Sequence, residues 1–216
     1  MRQARTAAVG VALIALAQIN LTSPAAASGN SNRYTALGTS ETVGLGLTPR
    51  SAYPYKVTAA CNLRLTVAAT VGDTVIPTDG FANADIVTVF WSPNYFLGDN
   101  AMQNLLRLRA LVDRSTRSAL TIVIEAPPSS AIPALATKTG FRRTEGFVRR
   151  AVRSIASHAG AKLIDLANYP LRPEKEFQSD GLHPSEAAQE LLARILIDEL
   201  GKEVRCSHRE RHREAG

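Results

Sequence analysis

Short apolar segments recur along the chain and alternate with longer amphipathic ones. Runs of four to eight apolar or β-branched residues bounded by turn residues are typical of buried strands. Such segments predict five strands, at residues 34–37, 61–67, 85–91, 120–125 and 162–166. The third is apolar or β-branched at nearly every position, as expected for a central strand that is covered on both faces.

Segments with helical spacing lie between these strands. Residues 51–60 are ambiguous and are interpreted as a helix that follows a proline, while Asp99 is a predicted N-cap for a helix over the next residues. A further helix has its apolar residues between 147 and 155 and ends near Gly160, and the last helix covers 184–200. Because strands and helices alternate without a repeat, the pattern predicts one α/β domain whose parallel sheet has helices on both faces.

Chemically reactive side chains follow the first and last predicted strands. Ser40 comes just after the first strand, and Gly44 allows the chain to turn tightly there. The carboxyl ends of parallel strands form the ligand crevice of open α/β sheets. A serine becomes a nucleophile only with a base and a group that orients this base. Asp180 and His183, at the end of a long irregular loop over 167–182, can supply both.

The Gly-Thr-Ser sequence that ends at Ser40, Asn94 after the third strand, and the Asp180-x-x-His183 box resemble the SGNH (GDSL-type) ester hydrolases. The resemblance extends over about residues 34–200. It implies a flavodoxin-like α/β/α fold with a five-stranded parallel sheet in the order 2-1-3-4-5. It also implies serine ester hydrolysis through an acyl-enzyme, in which His183 activates Ser40 and Asp180 orients His183. The expected substrate is a small ester with a short-to-medium acyl chain, or a lipid, and no cofactor or metal is expected.

The same resemblance assigns three donors to the oxyanion: the backbone amides of Ser40 and Val67 and the side chain of Asn94. Here the chain departs from the family. The Asn94 box reads Ser-Pro-Asn-Tyr instead of Gly-x-Asn-Asp, Val67 stands where the family has glycine, and Thr39 replaces an acid. A valine side chain narrows the acyl site and Pro93 restricts its opposite wall, so we expect a preference for short acyl chains.

The first 27 residues have the pattern of a bacterial signal peptide. Arg2 and Arg5 form a basic start, an apolar run covers 7–17, and alanines occupy 25–27. The protein is therefore predicted to be secreted, with a retained membrane anchor as the alternative. Beyond the signal peptide we expect a polar lead-in at 28–33, the hydrolase-like domain at 34–200 and a charged flexible tail at 201–216.

Charge does not indicate a nucleic-acid partner. Cleavage after residue 27 removes two arginines and no acid, so the net formal charge falls from +6 to +4. The sequence also has no basic motif with interleaved aromatic residues of the kind that binds nucleic acid. Five arginines crowd one predicted helix, where a solvated face is favoured over an anionic partner: Arg142, Arg143, Arg149, Arg150 and Arg153. His208 and His212 are interpreted as part of a solvated tail rather than as metal ligands. A monomer is expected.

The two cysteines, Cys61 and Cys206, suit an exported protein that has either one disulfide or two separate thiols. With the strand order that the resemblance implies, Cys61 opens the second strand at its amino end. The last helix is expected to start near Ser40, at the carboxyl ends of the strands. It is long enough to bring Cys206 to the amino ends of the strands, where Cys61 lies. A disulfide between them is therefore predicted.

Two other functions remain open from the sequence. The same catalytic groups would serve a carbohydrate O-acetylesterase. A secreted protein that keeps the fold but has lost turnover through its altered oxyanion boxes would instead bind ligands without catalysis, because a fold by itself does not determine function.

Overall fold

The strands form one parallel sheet in a computed structural model that describes residues 32–96 and 100–206. Within these ranges the sheet has five strands in the order β2-β1-β3-β4-β5. They are β1 (Arg33–Gly38), β2 (Arg64–Ala69), β3 (Ile86–Trp91), β4 (Leu120–Glu125) and β5 (Lys162–Asp165). The predicted fold class and strand order are confirmed.

Helices cover both faces of the sheet. In the described ranges they are α1 (Ser40–Val43), α2 (Tyr53–Cys61), α3 (Ala101–Ser115), α4 (Thr139–Ala159), α5 (Pro173–Glu176) and α6 (Glu186–Leu200). Helices α2 and α6 contribute to one core cluster, and α3 and α4 contribute to the other. No helix in the described ranges is long and apolar enough to cross a membrane.

Alternation along the strands explains why there are two cores. Successive side chains of a strand point to opposite faces. In β4, Ile122 and Ile124 belong to the core with α2 and α6, whereas Val123 belongs to the core with α3 and α4. All of β3 is buried, so the prediction of a central strand that is covered on both sides is confirmed.

The second strand starts later than predicted, at Arg64 instead of Cys61. Cys61 is the last residue of α2, and Asn62 then adopts a left-handed conformation with φ of 51°, which ends the helix. The apolar alternation over 61–67 therefore spans a helix end, a turn and a strand. The prediction that Cys61 opens β2 is wrong by three residues.

The predicted disulfide between Cys61 and Cys206 is present. Because α2 ends immediately before β2 begins, Cys61 still lies at the amino end of that strand, and Cys206 reaches it after α6. Val204 and Cys206 also pack against the core of α2 and α6. The part of the predicted flexible tail that is described, 201–206, is therefore held against the domain.

Other boundaries differ in detail. Helix α6 begins at Glu186, with Ser185 as the N-cap, because Pro184 is engaged in a β-bridge with Phe177. The long loop after β5 contains the short helix α5. Gly160 ends α4 with φ of 73°, as predicted. The signal peptide, Asp99, and the tail histidines at 208 and 212 lie outside the described residues.

Two arginines of α4, Arg149 and Arg153, pair with acids of the sheet, whereas Arg150 is exposed, as predicted for a solvated face. The side chains of Arg142 and Arg143 lie outside the described residues. Arg149 lies 2.6 Å from Asp165 and 3.2 Å from Glu125, and Arg153 makes the same two ion pairs. Burial raises the pKa of Glu125 above its ordinary value, although the two guanidinium groups act in the opposite direction. These pairs attach α4 to the carboxyl ends of β4 and β5.

Candidate functional site

The turn after β1 places Ser40 at the start of α1. Gly38 allows this turn, because a Cβ there would lie 2.1 Å from Thr42 Oγ1 and 3.2 Å from Phe90 Cβ. Ser40 is buried and is the first residue of the helix. Amides in a first helical turn have no partner within the helix. The Ser40 amide can therefore donate to a bound group, and its assignment to the oxyanion stays a prediction.

The loop before α6 joins Asp180 to His183. Asp180 Oδ2 lies 2.5 Å from His183 Nδ1, and its Oδ1 accepts the backbone amides of Leu182 at 2.9 Å and of His183 at 3.0 Å. Partial burial raises the pKa of Asp180. The hydrogen bonds from the His183 ring and from the two amides outweigh this effect and lower the pKa from its ordinary 3.8 to about 2. Asp180 therefore stays ionised at neutral pH.

An ionised carboxylate can only accept hydrogen bonds. Since Asp180 binds Nδ1 of His183, the neutral ring must carry its proton on Nδ1, and Nε2 has the lone pair of a general base. This is the relation between Asp180 and His183 that the sequence predicted.

Gln178 connects the loop of the base to the turn of the nucleophile. Its side-chain amide donates to the carbonyl of Leu45 at 2.7 Å and to the carbonyl of Pro184 at 3.0 Å. Its backbone amide donates to the carbonyl of His183 at 2.8 Å. Ser40 and His183 are thus attached to each other through one glutamine, at the carboxyl end of the sheet.

The hydroxyl of Ser40 is directed to a neighbour rather than to the base. It donates to Glu41 Oε2 at 3.3 Å, and no hydrogen bond joins it to His183 within the described ranges. Catalytic hydrogen bonds are often long or misaligned before substrate binds. The Ser40 hydroxyl must therefore rotate from Glu41 toward the ring before it can transfer a proton.

Asn94 lies in the turn after β3, the strand next to β1. Its backbone amide donates to Ser92 Oγ at 3.2 Å, and its half-buried side chain forms no hydrogen bond with another described residue. Tyr95, which replaces an acid of the family box, is fully buried against Trp91 and holds the turn in place. The side-chain amide of Asn94 is therefore available to donate to a bound group.

Val67 lies inside β2 and not at the end of the strand. It pairs with Ala36 in the interior of β2, whereas Ala69, the last residue of the strand, pairs with Gly38. The amide of Val67 therefore belongs to the strand, two residues before its carboxyl end, and not to the turn that follows it. Its place among the oxyanion donors stays a prediction, and so does the narrowing of the acyl site by its side chain.

An apolar cavity of about 60 Å³ adjoins these residues. Its wall includes Glu41, which follows Ser40, Pro93, which precedes Asn94, and both neighbours of His183, Leu182 and Pro184. The remaining wall is largely apolar and comes from β3, α6 and the loops after β4 and β5. The arrangement places an apolar recess beside the turns that carry Ser40, Asn94 and His183.

Sequence reasoning missed three polar residues of this site, Glu41, Gln178 and Gln189. Gln189 accepts the amide of Tyr53 and donates to the carbonyl of Glu41, both at 2.8 Å. An acidic residue directly after Ser40 was a visible signal for Glu41. The two glutamines contact residues more than 130 positions away, and one sequence contains no signal for such contacts.

The described residues offer no other reactive centre of comparable form. They contain no group of three or more histidines, cysteines and acids placed to hold a metal ion. His158, the other histidine in these ranges, is exposed, and its ring bonds the Ser154 carbonyl at 2.7 Å.

Known proteins resemble the chain in sequence and in fold. The model of the GDSL-like lipase/acylhydrolase family matches residues 36–191. Among curated proteins no sequence matches.

Three solved structures illustrate the similarity of fold. A lipase/acylhydrolase from Enterococcus faecalis has a TM-score of 0.63 at 18% identity, over 82% of this chain and 99% of the other. An inhibitor-bound aryl esterase of M. smegmatis has a TM-score of 0.62 at 16% identity, over 80% and 99%. An acetyl xylan esterase from Geobacillus stearothermophilus has a TM-score of 0.59 at 20% identity, over 83% and 99%. At these identities the likeness establishes the fold.

Proposed function

The chain belongs to the GDSL-like lipase/acylhydrolase family and is an ester hydrolase, and we propose that it cleaves short acyl esters through an acyl-enzyme on Ser40. The observation that carries this proposal is the bond of 2.5 Å between Asp180 and Nδ1 of His183. It leaves Nε2 as the base on the loop that Gln178 attaches to the Ser40 turn.

In the proposed reaction, Ser40 Oγ attacks the ester carbonyl while its proton passes to His183 Nε2. The carboxylate of Asp180 stabilises the imidazolium that results, and the Ser40 amide and the Asn94 side chain hold the oxyanion. A fixed donor of this kind contributes about 3–4 kcal/mol to lowering the barrier. His183 then gives the proton to the leaving alcohol, and water attacks the acyl-enzyme with His183 again acting as base.

The size of the cavity supports a preference for short acyl chains. A water-sized group needs roughly 10–15 Å³. A volume of about 60 Å³ thus accommodates about four to six such groups, which corresponds to chains from acetyl to about butyryl. The largely apolar wall suits the acyl part of an ester rather than its alcohol.

Activated esters of increasing acyl length test this proposal. We expect kcat/KM to be highest between acetyl and butyryl and to be lost in Ser40→Ala. Replacement of Ala188, which lines the cavity, by leucine should shift the optimum of hydrolysis to shorter acyl chains. A misfit of one or two methylene groups changes kcat/KM by about 10–200-fold, so Ala188→Leu should lower the ratio of butyryl to acetyl hydrolysis at least about tenfold.

The matched control is Ala187→Leu, because Ala187 is the neighbouring residue on α6 and is exposed. Its chain-length profile should equal that of the wild type. An optimum at long chains, or a profile that Ala188→Leu leaves unchanged, would show that the cavity does not bind the acyl group. Equal hydrolysis by the wild type and Ser40→Ala would instead contradict the nucleophile, and no turnover of any ester would favour a binding protein.

Carbohydrate O-acetyl groups are a second substrate class that the small cavity favours, since acetyl fits it. The acetyl xylan esterase with the similar fold has this substrate type in its name. Release of acetate from acetylated xylo-oligosaccharides, compared with release from an aryl acetate, distinguishes a carbohydrate esterase from a general short-chain esterase.

We also propose that the enzyme is exported and acts outside the cell. The signal-peptide pattern of residues 1–27 supports this, as does the disulfide between Cys61 and Cys206, since such bonds persist in oxidising compartments. Detection of the protein in culture medium with its N-terminus near residue 28 tests the proposal. Retention of the full-length chain in cells would contradict it.

A further inference from the structure

Three hydroxyl groups converge on the carboxylate of Glu41. Its Oε2 accepts from Ser40 at 3.3 Å and from Thr39, and its Oε1 accepts from Ser92 at 2.8 Å. The residue is 8% exposed and also lines the apolar cavity. Burying a charge in such surroundings is costly unless hydrogen bonds compensate for it. The three hydroxyls provide this compensation.

The same contacts join the two turns that carry the reacting groups. Thr39 and Ser40 belong to the turn after β1, and Ser92 starts the turn after β3. Ser92 Oγ also accepts the backbone amide of Asn94 at 3.2 Å. A continuous chain of hydrogen bonds therefore runs from Ser40 through Glu41 and Ser92 to Asn94.

The main chain of Glu41 is held as well. Its carbonyl accepts the side-chain amide of Gln189 at 2.8 Å, and Gln189 is buried in α6. The negative field of the carboxylate reaches further residues: burial, and secondarily the charge of Glu41, raise the pKa of Tyr95 well above its ordinary value. Glu41 thus occupies one position, fixed from the sheet side and from α6.

We propose that Glu41 is a positioning residue, whose buried carboxylate ties the Ser40 turn to the Asn94 turn and keeps the nucleophile and the oxyanion donor in register. This inference rests on the function proposed above. Its carboxylate is already engaged by Thr39 and Ser92, and its contact with Ser40 is the longest of the three, so it positions the serine rather than serving as its base. His183 keeps that role.

Steady-state kinetics of Glu41→Gln and Ser92→Ala test the inference. Displacement of reacting groups by about 1 Å can cost about 100-fold in rate. We expect Glu41→Gln to lower kcat at least about tenfold while KM changes less than about threefold, because the register matters in the transition state. Ser92→Ala should do the same. The kcat of the double variant should lie within about twofold of the kcat of the slower single variant, because both substitutions break the same connection.

Ser115→Ala is the matched control. Ser115, like Ser92, is fully buried, and its hydroxyl accepts a hydrogen bond of 2.9 Å from Thr121, near the amino end of β4 and away from Ser40. Thermal unfolding of every variant shows whether the protein is folded. Ser115→Ala should keep the wild-type kcat.

The outcomes separate the two proposals. A wild type whose activity equals that of Ser40→Ala contradicts the proposed function, and with it the role of Glu41. Activity that depends on Ser40, but with kcat within twofold of the wild type in Glu41→Gln or in Ser92→Ala, contradicts the role of Glu41 alone. Additive losses in the double variant would also contradict it, because the two residues would then act independently.

Discussion

Replacement of Gly181 by alanine tests how the turn between Asp180 and His183 positions the base. Gly181 has φ of +66°, and its carbonyl accepts the amide of Ala134 at 2.9 Å. A Cβ there would lie 3.1 Å from Pro133 Cβ and 3.3 Å from the Ala134 nitrogen. The variant therefore strains the backbone and pushes the turn away from the loop that it contacts.

Gly181→Ala has two costs, the strain of the left-handed backbone and the close contacts of the new Cβ, and they can be considered separately. A left-handed conformation costs a residue with a Cβ about 1–2 kcal/mol. In a domain of this size that loss corresponds to a decrease of roughly 2–8 °C in the unfolding midpoint. If about 1.4 kcal/mol of the remaining strain is relieved by moving His183 from its catalytic position, kcat/KM falls about tenfold.

Gly160→Ala provides the matched control. Gly160 has φ of +73°, and nothing lies within 4 Å of a Cβ added there. It ends α4 near the amino end of β5, whereas Ser40 follows the carboxyl end of β1. The assay measures the unfolding midpoint and short-chain ester hydrolysis for both variants. Both should lose stability, and only Gly181→Ala should lose kcat/KM by about tenfold.

Two results would refute this reasoning. If Gly181→Ala is destabilised like Gly160→Ala but keeps kcat/KM within twofold, the turn does not position the base. If Gly160→Ala loses as much activity as Gly181→Ala, the effect comes from general destabilisation and not from the contacts of the turn.

Three further predictions follow from the bonds of the site and from the disulfide. Asp180→Asn should lower kcat by about 10³–10⁴-fold at unchanged folding, because an amide donor favours the wrong His183 tautomer; equal kcat in the variant would contradict this. Since the pKa of Asp180 is lowered from 3.8 to about 2, its contribution to stability should be complete above about pH 5 and lost as the pH falls toward 2; urea unfolding of the wild type and Asp180→Asn across this range measures it, and a constant difference down to pH 2 would oppose it. Replacing Cys61 and Cys206 by serine should lower the free energy of unfolding by up to about 5 kcal/mol in the chain-entropy model, without changing kcat at 25 °C, and two alkylated cysteines in the unreduced protein would show that no bond exists.

The sheet was predictable because its strands are short, apolar and separated by amphipathic segments. This pattern depends on burial, and burial is recorded in the sequence itself: residues 120–125 match β4 at both ends. Asp180 and His183 were predictable as a pair for a similar reason. Their interaction is local, across a turn that contains one glycine.

The shifted bounds of the second strand have a physical origin in strand pairing. The sequence predicts the second strand from an apolar alternation that begins at Cys61. In the structure α2 continues to that residue, and hydrogen bonds to β1 set the register of the strand. The pairing of Ala36 with Val67 places the end of β2 two residues later. Apolar alternation contains no information about this register when one end of the segment is a helix.

The polar connections of the site were unpredictable for a different reason. Gln178 reaches Leu45 over 133 positions, and Gln189 reaches Glu41 over 148. Such contacts exist only after the last helix has packed beside the first strand. They show that the relative position of the Ser40 turn and the Asp180–His183 loop depends on long-range packing.

The central claim is that Ser40 is the nucleophile of an acyl-enzyme. Its most direct test is reaction of the purified mature protein with a fluorophosphonate, followed by mass spectrometry of the intact chain and of its peptides. The account predicts one adduct per molecule, located on Ser40, with no adduct on Ser40→Ala and slower labelling of His183→Ala. An adduct on another residue, or ester hydrolysis that continues in Ser40→Ala, would contradict it.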